Sequence, residues 1–323
     1  MKSKEKNNNK MPNIILFLTD DHAQWALGAY GNTNIISPNL DFLAKSGVLM
    51  ENAYTPTPVC SPGRACLLTG RLASQHGIHD YLGSGYEDHP LLARETVLPE
   101  LLKSAGYTTL LSGKWHLGNE THPKGGFDRT FSIGEKYPFK HDGKRTFFED
   151  GKPIEIEGYK TRIIIERAIQ YIREHHNDTP FYLQIGFIGT HCPWEGQPER
   201  LVNQYRDANF ENLHGETTYP FGIQNLESTF DYRLNPQETR AQYCAAVSHI
   251  DEAIGQLIDE LEAQGLRDNT LIIYTSDHGL NCGHHGIWGK GNGTLPLNLI
   301  EESIRVPLIF NHPGQLIEGQ RRS

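Results

Sequence analysis

Apolar residues in this chain gather into short unbroken runs, separated by stretches in which they recur every three or four positions. Asn13 to Thr19 reads Asn-Ile-Ile-Leu-Phe-Leu-Thr. It is too short to span a membrane and lacks the polar alternation of a half-exposed strand, so it predicts a strand buried on both faces. Thr108 to Ser112, Phe181 to Ile188, Leu271 to Tyr274 and Val306 to Phe310 repeat the pattern, the last as the final strand. Helical signals fill the intervals. Ser37 caps and Pro38 opens one short helix, and Pro62 lies early in another that runs through Ala65, Leu67 and Leu68. Leu98 to Ala105 is helical and stops at Gly106. Thr161 to His175 carries Ile164, Ala168 and Ile172 at helical spacing, and Pro236 to Gln264 is a long amphipathic helix ended by Gly265. The alternation predicts an α/β fold with a large, mostly parallel central sheet and helices on both faces. No internal repeat is evident, and residues 194–235, polar with scattered aromatics, read as a long insertion.

Charge and cysteine usage narrow the function classes. A net charge of −9 argues against a nucleic-acid-binding surface, which needs a basic footprint. No apolar run approaches the ~20 residues of a membrane helix. Met1 to Lys10 is rich in lysine and asparagine with no apolar segment behind it, so residues 1–11 read as a disordered leader and not a secretory signal. A cytoplasmic location is expected on that ground, with periplasmic or secreted placement as the alternative. Five scattered cysteines, Cys60, Cys66, Cys192, Cys244 and Cys282, fit reduced thiols better than a disulfide framework.

Candidate chemistry sits where α/β sheets place it, just past the C-terminal ends of strands. Asp20 and Asp21 are adjacent carboxylates at the end of the first strand, and Asp277-His278 follows a later one. Adjacent like charges are best offset by a cation, and hard oxygen donors point to Ca²⁺ or Mg²⁺. Cys60 stands at a helix start, open to three readings: a buried structural thiol, an activated thiolate, or something the motif around it specifies. Arg64 lies one helical turn later on the same face.

Cys60-Ser61-Pro62-Gly63-Arg64 resembles the C-x-P-x-R core of the type I sulfatases. Around it, in that family's order, stand Asp20-Asp21, Gly113-Lys114-Trp115-His116-Leu117-Gly118, Thr190-His191-Cys192-Pro193, Thr275-Ser276-Asp277-His278-Gly279 and His285-Gly286-Ile287-Trp288-Gly289-Lys290. The resemblance implies an alkaline phosphatase-like fold. It also implies that a formylglycine-generating enzyme converts Cys60 to formylglycine, whose hydrated aldehyde is the nucleophile. By the same resemblance Asp20, Asp21, Asp277 and His278 bind one divalent cation together with the modified Cys60. That cation is Ca²⁺, with Mg²⁺ the alternative, and the family often has asparagine where this chain has His278. Arg64, Lys114 and Lys290 are implied as cations around the sulfate, His116 as the base that triggers sulfate elimination, and His191 as the acid that protonates the leaving alcohol. His79, Asp80 and His285 are candidates for substrate contact.

The implied activity is hydrolysis of a sulfate ester on a carbohydrate or other small molecule. The alternatives are a phosphonate monoester or phosphodiester hydrolase of the same superfamily and a non-catalytic sulfate-ester-binding protein. The family's smaller C-terminal subdomain is expected to be missing, leaving residues 12–323 as a catalytic domain truncated before it.

Overall fold

The computed structural model describes residues 10–82, 94–123, 125–133, 142–175, 179–210, 213, 223–224 and 235–323. Residues 1–9 of the expected leader and the remaining parts of the 194–235 stretch lie outside these.

The strands are β1 (Asn13–Thr19), β2 (Val48–Met50), β3 (Thr108–Gly113), β4 (Arg129–Ile133), β5 (Lys144–Glu149), β6 (Lys152–Glu157), β7 (Phe181–Gly186), β8 (Ile223–Gln224), β9 (Thr270–Ser276), β10 (Asn281–Cys282), β11 (Trp288–Gly289), β12 (Thr294–Leu295), β13 (Leu308–Asn311) and β14 (Gln320–Arg322). The helices are α1 (Pro38–Lys45), α2 (Cys60–Thr69), α3 (Ala73–His76), α4 (Leu98–Ser104), α5 (Lys160–Glu174), α6 (Glu199–Val202), α7 (Pro236–Ala263) and α8 (Glu301–Ile304). Ten strands form one sheet in the order β14-β2-β13-β9-β1-β7-β3-β4-β5-β6. The run β9-β1-β7-β3-β4 is parallel, and antiparallel strands flank it.

The apolar run of β1 is continuous because helices cover both faces of the sheet. Ile15 and Phe17 pack with Leu40 and Leu43 of α1, Ile164 and Ala168 of α5, and Ile250, Ile254 and Leu257 of α7. Leu16 and Leu18 turn to the opposite face, against Tyr182, with Leu98 and Leu102 of α4 packed on that cluster. The sheet is therefore the mostly parallel, two-sided one that the pattern predicts.

Three differences from the sequence reading have physical causes. Val306–Phe310 does not mark the final strand: β13 is followed by β14, which pairs parallel to β2 at the sheet edge. Its Gln-Arg-Arg sequence is held by backbone hydrogen bonds and buries little, so hydropathy carries no trace of it. The β5–β6 hairpin escapes the buried-run pattern because its outer strand is half exposed. Asp150 at φ 46° and Gly151 at φ 81° form its turn, and an Asp-Gly pair between alternating residues is the signal that announces one. The described part of 194–235 is packed, not looped out. Its aromatics Trp194, Tyr205 and Phe210 join Leu201, Val202 and Leu213 in a cluster against Ala241, Tyr243 and Cys244 of α7.

Candidate active site

Four neighbouring parallel strands, β9, β1, β7 and β3, end on the same edge of the sheet and deliver most of the centre. Asp20 and Asp21 leave β1, Lys114 and His116 leave β3, His191 follows β7, and Asp277 and His278 leave β9. The ends are tied together: Asp277 N–H donates to the Thr19 carbonyl at 3.1 Å, Lys114 N–H donates to the Gly186 carbonyl at 2.9 Å, and the Thr190 hydroxyl donates to the Asp20 carbonyl. Cys60 and Arg64 come from the first turns of α2, and Lys290 from the segment after β11.

The side chains converge. Cys60 Sγ lies 3.3 Å from Asp20 Oδ1, 3.3 Å from His278 Nε2 and 2.9 Å from Lys290 Nζ. Lys290 Nζ also lies 2.9 Å from Asp21 Oδ1 and 3.3 Å from His191 Nε2. Arg64 donates Nε–H to Asp277 Oδ2 at 2.8 Å and Nη1–H to the Lys114 carbonyl at 3.1 Å. Lys114 Nζ donates to Asp20 Oδ2. Three carboxylates and three cations thus share one buried centre inside an acidic chain.

Burial and these neighbours set the protonation states. Burial would raise the Asp20 carboxyl, but Lys114, Lys290 and Arg64 hold it well below the ordinary range. Burial raises Asp21, with Lys290 opposing. The Cys60 thiol is pushed far up by burial and then by Asp20, so the activated-thiolate reading has no support from its surroundings. Lys290 stays charged, because the carboxylates of Asp21 and Asp20 outweigh the effect of burial. His116 and His191 are both driven well down, by burial first and then by Lys114 and Lys290 respectively, which leaves two neutral imidazoles. His116 Nε2–H donates to the Leu82 carbonyl at 3.0 Å, so Nδ1 carries the lone pair. In His191 the Nδ1–H donates to the Cys192 carbonyl, and Nε2 carries it.

A divalent cation fits this donor set. His278 Nδ1–H donates to the Gly279 carbonyl at 2.9 Å, and its Nε2 faces Asp21 Oδ1 at 3.3 Å, Asp277 Oδ1 at 3.5 Å and Asp20 Oδ1 at 3.7 Å. Three carboxylate oxygens gathered around one ring nitrogen repel one another, and a cation among them offsets that repulsion. Asp21 Oδ2 is buried and accepts no hydrogen bond among the described residues. Asp20, Cys60, Asp277 and His278 offer ligand atoms all within 4.8 Å of one another.

The substrate-contact candidates sit further out. His79 and Asp80 are exposed, and it is Leu82, two residues on, that reaches the centre through His116. His285 is also exposed, 3.2 Å from Glu302. Glu120 is a buried residue near the centre that sequence reasoning did not single out. The Glu120 carboxylate accepts the backbone N–H groups of Trp115 and His116 and so holds His116 at φ 59°. An acid four residues past a histidine in a turn gives no sequence signal for that task.

Fold and site together define an α/β protein with a polar, cation-competent centre built around a cysteine at a helix start. The Sulfatase family model matches residues 12–322, and the chain belongs to that family, with its alkaline phosphatase-like fold. It is 28% identical over 383 residues to N-acetylglucosamine-6-O-sulfatase of Bacteroides thetaiotaomicron, covering 99% of this chain and 66% of that protein. It is 31% identical over 315 residues to an ulvan-active sulfatase of Formosa agariphila, covering 94% of this chain and 56% of that protein. The solved structure of BT4656 in complex with its substrate D-glucosamine-2-N,6-O-disulfate superposes with a TM-score of 0.82 at 28% identity, over 97% of this chain and 74% of that one. The chain thus spans 56–66% of the length of these two curated relatives.

Proposed function

We propose that this chain hydrolyses sulfate esters of carbohydrates, with residue 60 as the nucleophile after its conversion to formylglycine by a formylglycine-generating enzyme. The observation that carries the reading is the environment of Cys60. Its Sγ touches Lys290, Asp20 and His278 at once, within a cluster of carboxylates that suits a divalent cation.

Asp20, Asp21, Asp277 and His278 would hold Ca²⁺ or Mg²⁺, which supplies a Lewis acid for an ester oxygen. Formylglycine supplies an oxygen nucleophile that a thiol pinned in its protonated form cannot. Lys114, Lys290 and Arg64 gather positive charge where a sulfate group brings negative charge, and the buried Lys114 and Arg64 act in a low dielectric. His116, neutral with its lone pair on Nδ1, serves as a base. His191 presents its Nε2 lone pair to Lys290 Nζ at 3.3 Å, so it would pass a proton to the leaving alcohol after taking one there from the Lys290 ammonium. The carbohydrate part of the reading is supported by the names of the relatives, which act on N-acetylglucosamine sulfate and on ulvan.

The test is the mass of the peptide spanning Cys60 after co-expression with a formylglycine-generating enzyme, followed by sulfate release from sulfated monosaccharides. Conversion of the thiol to an aldehyde together with sulfate release is expected. Conversion with faster cleavage of an aryl phosphodiester would move the activity to phosphorus esters, and conversion without turnover would leave a binding protein.

A further inference from the structure

Asp21 poses a geometric problem that the metal ligands themselves do not solve. Successive residues of an extended strand point to opposite sides, yet Asp20 and Asp21 both bring carboxylate oxygens to His278 Nε2, at 3.7 Å and 3.3 Å. The chain achieves this with a left-handed backbone at Asp21, φ 63°, a conformation that L-residues avoid unless their surroundings impose it. Something must hold the peptide that follows.

Tyr243, on the long helix α7 and fully buried, is that group. Its hydroxyl donates to the Asp21 carbonyl at 2.9 Å and accepts the Ala23 N–H at 3.2 Å, so one oxygen spans the turn. From the other side, Asp21 N–H is 3.4 Å from Asp277 Oδ1 and His22 N–H donates to Ser276 Oγ at 3.0 Å. The tyrosine ring is itself fixed between Trp25, at a centroid distance of 5.5 Å, and Trp194, at 5.6 Å.

We propose that Tyr243 is a positioning residue for the divalent cation: its hydroxyl locks the Asp21 turn so that both adjacent carboxylates face the metal. The proposal rests on the cation reading above. It adds that a helix packed behind the sheet, and not only the strand ends, sets the geometry of the ligand shell. Groups that orient metal ligands without touching the metal commonly contribute 10- to 100-fold in affinity.

The experiment uses the full chain with Cys60 unmodified, so that no turnover enters the readout. After chelator treatment, CaCl₂ and MgCl₂ are titrated by calorimetry, and thermal unfolding is recorded in EDTA and in each metal. Tyr243→Phe keeps the ring between the two tryptophans and removes only the hydroxyl. It is expected to weaken cation binding about 10- to 100-fold and to shrink the metal-induced rise in unfolding temperature, by an amount its stability in EDTA does not account for. Trp25→Phe, which alters the ring packing and leaves the hydroxyl, is expected to lower stability in EDTA while keeping the affinity. Asp21→Asn is the ligand control. If Asp21→Asn loses the metal and Tyr243→Phe binds like the parent, the role of Tyr243 is overturned and the cation site stands. If the parent binds neither cation, or Asp21→Asn binds like the parent, the cation assignment falls and the proposal with it.

Discussion

Gly63 and Asp277 meet backbone to backbone: a methyl group on Gly63 would stand 2.5 Å from the Asp277 carbonyl oxygen. The first turns of α2 are thereby pressed onto the loop that leaves β9. Arg64 reaches Asp277 Oδ2 at 2.8 Å and Cys60 Sγ reaches His278 Nε2 at 3.3 Å from the same helix. Between the cysteine and the arginine, the residue after Pro62 is therefore not free to vary. A backbone oxygen cannot swing aside as a side chain can, so Gly63→Ala must push the helix away from Asp277. The expected cost is about 1–3 kcal/mol of stability, in the range of overpacked sites, along with weaker Ca²⁺ or Mg²⁺ binding. Urea denaturation and a metal titration of Gly63→Ala measure both, and a variant matching the parent in each would show that α2 does not depend on that contact.

Much of this centre was legible in the sequence because its parts sit at strand ends and in short motifs. Asp20, Asp21, Cys60, Arg64, Lys114, His116, His191, Asp277, His278 and Lys290 converge as the strand pattern and the family resemblance together implied. The two-sided sheet was legible for the same reason, since β1 and β7 have no polar face to blur them. What was not legible acts through backbone groups. Glu120 and Tyr243 hold the left-handed turns at His116 and Asp21 by hydrogen bonds to peptide groups, and a buried tyrosine on a helix looks the same in sequence whether its hydroxyl has a task or not. β14 was hidden likewise, because an edge strand of Gln-Arg-Arg is held by backbone pairing to β2 and by the Arg321–Glu51 ion pair, and buries little.

Acid should destabilise the fold through two histidines away from the centre's own ligands. Burial lowers His249 to about 4 and His284 to about 3. His284 Nδ1 accepts the Cys282 N–H at 3.3 Å, a bond that its protonated ring cannot keep. Both folded-state values lie below the unfolded value of about 6.5, so the unfolded chain binds more protons in the interval. The contribution to stability is complete above about pH 6.5. It falls as pH drops toward 4 for His249 and toward 3 for His284, by about 2 kcal/mol per residue between pH 7 and 5. Urea denaturation at stepped pH should show His249→Gln and His284→Gln each flattening that slope, and an unchanged slope in both would refute the assignment.

The division of labour between the two neutral histidines can be read from leaving groups. His191 Nε2 lies 3.3 Å from Lys290 Nζ, which also touches Cys60 Sγ at 2.9 Å, so its ring edge borders the place where the proposed reaction would break the bond to sulfur. A sugar alkoxide is a poor leaving group and needs a proton as it departs. A 4-nitrophenolate does not. General acids contribute about 10²–10⁴-fold where a proton is needed. On the formylglycine-bearing enzyme, His191→Ala should therefore lower kcat on a sugar sulfate by that order and on 4-nitrophenyl sulfate far less. Lys290 loses a neighbour in the same variant, and any resulting loss of charge stabilisation falls on both substrates alike. The ratio between substrates isolates the proton, and equal losses on the two would remove His191 from the role of acid and leave it as a partner that orients Lys290.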